Sequence, residues 1–396
     1  VGELPAGWRE MTLEEAASWH SGGTPPTSEP LYWNGDIPWI TSGSLTEFHL
    51  KASERTLTEK GVAAGSRLVP PGTTIFVVRG MSLKTEFRIG ITTKPMAFGQ
   101  DCKALRPVEG IDELFLAYAI KARSETVLDL VDEAGHGTGR LNTDQMKALA
   151  IEVPPHAEQR AIAEVLGALD DKIESNRRLL ATSGLVLHAE ADRMVGPKVP
   201  LGAIAEVARE VMDPQKLGDV AVDHFSIPAF DAGERPDRVL AQTIKSGKTR
   251  VDGNAILLSR LNPRFPRLWH AVPEPGVLAV CSTEFMVLSP APGLTIADLW
   301  LACSQATVRD EMVQRATGTS GSHQRVRPND VLAMEVVDPR ALADAIREEA
   351  GELLELAEAA RRENEFLAAL RDALLPELLA GRLRVPEAEK MAEAVL

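Results

Sequence analysis

The chain has 396 residues and a formal net charge of −14, from 43 Lys and Arg against 57 Asp and Glu. That length predicts two to four domains, and the acidic balance excludes a simple basic coat for nucleic acid. No apolar run approaches the roughly 18–20 residues of a membrane span, the opening VGELPAGWRE has no secretory pattern, and the three cysteines are too scattered for a disulfide framework. The expectation is a soluble, cytoplasmic chain without a metal.

In chain order, TLEEAAS (12–18) precedes GGTPPTSEPLYWNGDIPWI (22–40), whose prolines and glycines predict a shaped turn anchored by Trp33 and Trp39. Residues 51–106 then hold ten Lys and Arg against four Asp and Glu, a basic island in an acidic chain. Within it TIFVV (74–78) reads as a buried strand, and DELFLAYAIKARSETVLDLV (112–131) has helical periodicity. A Gly-rich loop, GHGTGR (135–140), leads to an apolar run ending at Pro154. After PPHAEQ (154–159) a long helix is predicted, with Ile162, Leu166, Leu169, Ile173, Asn176, Leu180, Ser183 and Leu187 in alternating steps of four and three, a coiled-coil seam.

The pattern then recurs. PLGAIAE (200–206) answers TLEEAAS, a second basic island (245–267) holds six Lys and Arg against one Asp, and AILLS (255–259) reads as a second buried strand. IADLWLACSQATVRDEMVQRA (296–316) is helical, GTSGSHQR (318–325) is a second Gly-rich loop, and another apolar run ends at Pro339. A second seam follows at Ile346, Ala350, Leu353, Ala357, Ala360, Asn364 and Leu367. ELFLAYAIKA (113–122) aligns with DLWLACSQAT (298–307), and GRLNTDQMKALAIEVP (139–154) with QRVRPNDVLAMEVVDP (324–339), at a constant offset of 185 residues. A period that long means two copies of one domain.

The predicted fold is α+β: two repeated mixed α/β domains, 1–153 and 197–339, separated by two long antiparallel coiled-coil helices in 154–196 and 340–396, with pseudo-two-fold symmetry. A helix of roughly 35 residues is about 50 Å long, which makes the pair a spacer between the copies. Asn176 and Asn364 lie on the two seams, where asparagine fixes register at some loss of stability.

Signs of catalysis are absent from the sequence. SGKT (246–249) lacks the earlier glycine of a phosphate loop, since position 242 is Gln242, and reads as a basic surface loop. There is no G-x-S-x-G elbow, no Asn/Asp-Pro-Pro-aromatic loop of an adenine methyltransferase, and PDRV (236–239) lacks the acidic-x-Lys partner of a nuclease core. His136 and His323, in the Gly-rich loops, have no acidic partner in view. The chain is expected to be non-catalytic.

GGTP (22–25) with YWNGDIPWI (32–40), PPHAEQRAIAEVLGALDDKI (154–173) and LRDALLPELLAGRLRV (370–385) together resemble the specificity subunits of type I restriction–modification systems, in the order that family shows. His156 stands where an apolar residue is common, and the second copy lacks the Trp-rich opening. The resemblance implies two target-recognition domains, each reading half of a bipartite double-stranded DNA target, and helices that set the gap and dock two modification (methyltransferase) subunits. It implies restriction (motor–nuclease) subunits as further partners and no cofactor in this chain. S-adenosylmethionine would belong to the modification subunits and ATP with Mg to the restriction subunits. The competing reading is a stand-alone sequence-specific DNA-binding regulator.

Lys and Arg neutralise phosphates, while Arg, Lys and Asn also read base edges. The expected DNA-binding residues are Arg79, Lys84, Arg88, Lys94 and Arg140 in the first copy. In the second they are Lys248, Arg250, Arg260, Asn262, Arg264, Arg267, Arg325 and Arg327.

Overall fold

The computed structural model describes residues 4–134, 138–318 and 324–396. The chain forms two compact units, residues 1–173 with 366–396, and residues 174–365. Each therefore takes part of both long helices.

In the first unit the strands Ala17–Ser21, Cys102–Pro107, Thr74–Val77, Ile89–Thr92 and His49–Leu50 form one sheet in that order. The first four are mutually antiparallel and the last pair is parallel. Thr74–Val77 is buried throughout, as a central strand with both faces covered must be. A second sheet runs Thr56–Leu57, Trp33–Ile40, Met96–Phe98, Leu68–Val69, with a parallel central pair. Arg9–Thr12 pairs with Ala150–Val153. The core of Ile75, Phe76, Phe115 and Tyr118 extends onto Ile162, Leu166 and Leu169 of one long helix and Leu367, Leu374 and Leu378 of the other.

Trp33 and Trp39 anchor the opening turn, but on a satellite cluster with Leu57 and Ala97 rather than on the main core. Their indole N–H groups donate to the carbonyls of Pro26 (3.1 Å) and Gly23 (3.2 Å). A side chain at Gly23 would collide with the Gly65 carbonyl at 2.1 Å, which explains the glycine there.

In the second unit the strands Ala205–Val207, Phe285–Pro290, Ala255–Ser259 and Leu268–Ala271 are all antiparallel. Their order and directions match those of the first four strands above. The second sheet runs Val211–Met212, Lys248–Val251, Leu278–Ser282, Ala221–Phe225, Asp237–Leu240. Again the central pair is parallel, with an antiparallel strand on each side. Lys198–Pro200 pairs with Glu335–Val337, as Arg9–Thr12 does with its partner. By strand order Ala221–Phe225 corresponds to Trp33–Ile40. The counterpart of the opening stretch thus has no tryptophan.

The long helices span His156–Arg193 and Asp344–Leu379. The first starts three residues before the end of PPHAEQ, because Gln159 already belongs to it. The Gln159 amide accepts from Asp112 N (2.8 Å) and donates to the carbonyls of Gly110 (3.0 Å) and Pro154 (2.9 Å). Within the first unit, Arg371 contacts Asp170 and Arg384 contacts Glu158, so the chain runs antiparallel there. Within the second, Asn176 meets Asn364 while Leu187 and Ala191 share a cluster with Ala350 and Leu354, again antiparallel. Of the first seam only Leu180 is incompletely buried, whereas Ile346, Leu353 and Asn364 of the second are half-buried.

Two predicted helices are broken. Residues 112–131 form Glu113–Lys121 and Ser124–Asp129, and 296–316 form Ile296–Ser304 and Ala306–Gln314. At the second break Gln305 is extended (φ −57°, ψ 143°), and its amide pairs with both backbone groups of Val337. This non-local bond replaces helix continuity, and amphipathic periodicity is blind to it. Beyond Leu379 the chain turns at Gly381 (φ +65°) into a further helix, Val385–Glu393, not expected from the sequence.

Candidate nucleic-acid interface

In each unit the loop joining the two neighbouring strands Thr74–Val77 and Ile89–Thr92, or Ala255–Ser259 and Leu268–Ala271, carries much of the basic island. In the first unit Arg79–Gly80 pairs with Thr138–Leu141, which places Arg79 directly opposite Arg140 and Gly80 opposite Gly139. Both arginines are exposed, and neither has a carboxylate partner among the described residues. Like charges directly opposite in a sheet are destabilising by roughly 0.2–1 kcal/mol. An anion laid across the pair would remove that cost.

Gly139 permits the close approach, since a Cβ there would lie 2.8 Å from Leu83 Cβ. Leu83 is buried, and its turn Ser82–Lys84 presents Lys84 to solvent. Arg88 joins the group, because its carbonyl accepts from Val77 N at 3.0 Å, though its guanidinium already pairs with Glu86 at 2.9 Å. Lys94 is exposed but follows the other end of Ile89–Thr92, so the structure leaves it apart from these four.

The second unit repeats the arrangement with tighter pairing. Leu261 bridges Arg325, and Val326 N donates to the Arg260 carbonyl at 3.1 Å. Arg325 chelates Glu284 with bonds of 2.7–3.1 Å, which hold the Glu284 carboxyl below its ordinary range. Arg260 donates to the carbonyls of Thr283 (2.6 Å) and Val326 (3.4 Å). Arg267 chelates Asp231 at 2.7 and 2.9 Å. Asn262 is left-handed (φ +48°), with its N–H on the Gln324 carbonyl at 2.8 Å. Arg264 and Arg327 are exposed and have no side-chain partner among the described residues.

Two expected residues sit elsewhere. Lys248 and Arg250 belong to Lys248–Val251, in the other sheet. Lys248 is only 7 % exposed, and its ammonium is held by Ser246 Oγ at 2.6 Å. Burial lowers its pKa. SGKT is therefore the entry to a buried strand rather than a surface loop. Arg250 pairs with Asp252 at 2.5 Å. His136 and His323 lie outside the described residues.

Sequence reasoning missed three features. Met81 and Phe265, apolar residues inside the basic loops, are each 62 % exposed. Arg55 lies 3.9 Å over the Trp33 ring. The signal for the first two was available: a large apolar residue amid lysines and arginines has no amphipathic reason to be there. No group of acidic, histidine or cysteine side chains able to hold a metal occurs among the described residues. No described helix is long and apolar enough to cross a membrane.

The fold is that of a type I restriction–modification specificity subunit. It matches the crystal structure of the S subunit from M. genitalium with a TM-score of 0.59 over 94 % of this chain and 96 % of that one, at 16 % identity. Residues 5–182 match the family described as the type I restriction modification DNA specificity domain. It is 30 % identical over 184 residues to the type I restriction enzyme MjaIX specificity subunit of Methanocaldococcus jannaschii, covering 45 % of this chain and 41 % of that protein. It is 30 % identical over 161 residues to the EcoR124I/EcoR124II specificity subunit of Escherichia coli, 40 % of each. The matched part spans about two-fifths of these relatives. These matches bear out the resemblance read from the sequence.

Proposed function

We propose that this chain is the DNA sequence-specificity subunit of a type I restriction–modification complex. Each unit supplies one target-recognition domain, and each domain reads one half of a bipartite target. The long helices set the gap between halves and dock two modification subunits, and restriction subunits join the assembly. In this reading S-adenosylmethionine is bound by the modification subunits and ATP with Mg by the restriction subunits, while this chain contributes sequence choice alone. The four strands that the corresponding sheets of the two units share, in the same order and directions, support repeated domains.

The observation that carries the proposal is the exposed Arg79–Arg140 pair, unpartnered among the described residues, with Arg264 on the corresponding loop of the other unit and Arg327 just past the segment that bridges that loop. Arg88, Arg260, Arg267 and Arg325 are pre-set by their neighbours, and this fixes the donors that remain free. Lys248 and Arg250 drop out of the proposed contact set.

The test is single-molecule methylation mapping of the host genome with and without this gene. One bipartite motif, methylated at adenine in both halves, should vanish on deletion. Arg79→Ala with Arg140→Ala should weaken binding of the assembled complex to that motif. It should also lower the slope of log affinity against log salt by about 2, near 0.9 per lost phosphate contact. An unchanged slope would remove the pair from the interface, and a motif that survives deletion would refute the function.

A further inference from the structure

We propose that Phe265 in the second unit, and Met81 on the corresponding loop of the first, are apolar wedges that enter between adjacent base steps of the duplex. The inference rests on the DNA-reading function above and adds a distortion of the DNA to it.

Both side chains lie on the loop between the two neighbouring antiparallel strands, and both are 62 % exposed. Neither can be a stray end of a core pattern, because the core residues of each loop are elsewhere: Leu83 is buried beside Met81, and Pro263 beside Phe265. Their surroundings are cationic. Met81 is two residues from Arg79 and three from Lys84; Phe265 follows Arg264 and stands two residues from Arg267. A protein partner burying Phe265 would have to desolvate the free Arg264 guanidinium with it. A base step offers a flat apolar slot with phosphates on its flanks, so one ligand satisfies the ring and the cation together.

The loops are also held rigid. Asn262 is fixed in the left-handed region (φ +48°) by its bond to Gln324, and Phe265 N–H closes a turn on the Asn262 carbonyl at 3.0 Å. On the other side Arg267, chelated by Asp231, donates to the Phe265 carbonyl at 3.4 Å. Prolines at 263 and 266 restrict the backbone further. In the first unit Lys84 N–H bonds to the Met81 carbonyl at 3.2 Å, and Glu86 N–H to Ser82 at 2.7 Å. A projecting apolar group on a pre-ordered loop loses little freedom when it inserts.

The experiment uses the full chain assembled with its modification subunits and a duplex carrying the mapped target. 2-Aminopurine replaces bases one at a time along each half, and its fluorescence rises where a step is unstacked. The wild type should give a rise at one step in each half. Phe265→Ala should abolish the rise in one half only and weaken binding roughly 5- to 150-fold, with the salt slope unchanged. Met81→Ala should do the same in the other half, and Phe265→Trp should keep the rise. A rise that persists in Phe265→Ala, or no rise with wild type that does bind selectively, overturns the wedge and leaves the reading function standing. Loss of assembly with the modification subunits in Phe265→Ala makes this a protein contact and also overturns it. If the wild-type complex shows no selective binding, both inferences fall.

Discussion

Replacing Arg347 with alanine tests what fastens the helix Ile296–Ser304 to the long helix Asp344–Leu379 in the second unit. Asp298 is 0 % exposed, on the first turn of Ile296–Ser304. It receives two bonds from Arg347 of the helix Asp344–Leu379, at 2.6 and 2.7 Å. It also receives the Thr295 N–H at 2.8 Å and the Thr295 hydroxyl at 3.0 Å, closing a capping box. Burial alone would push this carboxyl up. The Arg347 bonds and the Thr295 donors outweigh it and bring the pKa below the ordinary value. Arg347→Ala strips a buried carboxylate of its only cationic partner among the described residues and should cost about 3–5 kcal/mol. Adding Asp298→Leu removes the stranded charge and should recover most of that, leaving about 1 kcal/mol for the lost cap. Because the folded pKa lies below the unfolded one, the contribution is complete above about pH 4. It is lost as pH falls through the folded value. The assay is native-state hydrogen exchange of the amides of 296–304 in the single and double variants, against pH. A cost below about 1 kcal/mol for Arg347→Ala, or a double variant worse than the single, would refute the reasoning.

The asparagine pair and the thiols yield further expectations. Asn176 donates to Glu363 at 2.6 Å and to Asn364 at 3.1 Å while 4 % exposed, so Asn176→Leu should cost about 1–3 kcal/mol in urea unfolding. Changing both asparagines to leucine should restore stability, yet broaden spin-label distances between residues 174–193 and 344–365 if the pair sets register. Cys102, Cys281 and Cys303 are all buried, and burial pushes the thiols of Cys102 and Cys303 up to about 12. Alkylation at pH 8 should therefore reach all three only after denaturation, measured by mass. Fast labelling of the native chain would contradict that packing.

The heptad seams were legible because burial against one partner leaves a periodic trace: the first seam is buried except at Leu180, and the second at Ala350, Ala357, Ala360 and Leu367. The buried strands were legible where apolar runs line the core, as at 74–78 and 255–259. What escaped depended on single long-range contacts. Gln305 breaks a helix by bonding Val337, and Lys248 is buried by a sheet whose strands are distant in sequence. The basic islands located the loops but not the division of labour within them. Whether an arginine is free, like Arg79, or chelated, like Arg325 on Glu284, depends on a carboxylate some forty residues away.

Unit 1 is interrupted by unit 2 along the chain, since its core needs Leu367, Leu374 and Leu378 as well as residues before 173. At about 5–20 residues per second, residue 366 leaves the ribosome roughly 10–40 s after residue 173. During that interval the whole of 174–365 becomes available to fold on its own contacts, while the earlier domain still lacks one wall. The domain begun first is thus closed last, and its uncovered apolar face is the natural point for chaperones or aggregation to intervene. Stability of the second unit and folding yield of the first are therefore coupled through synthesis: any variant that slows the inner unit lengthens the exposure of the outer one.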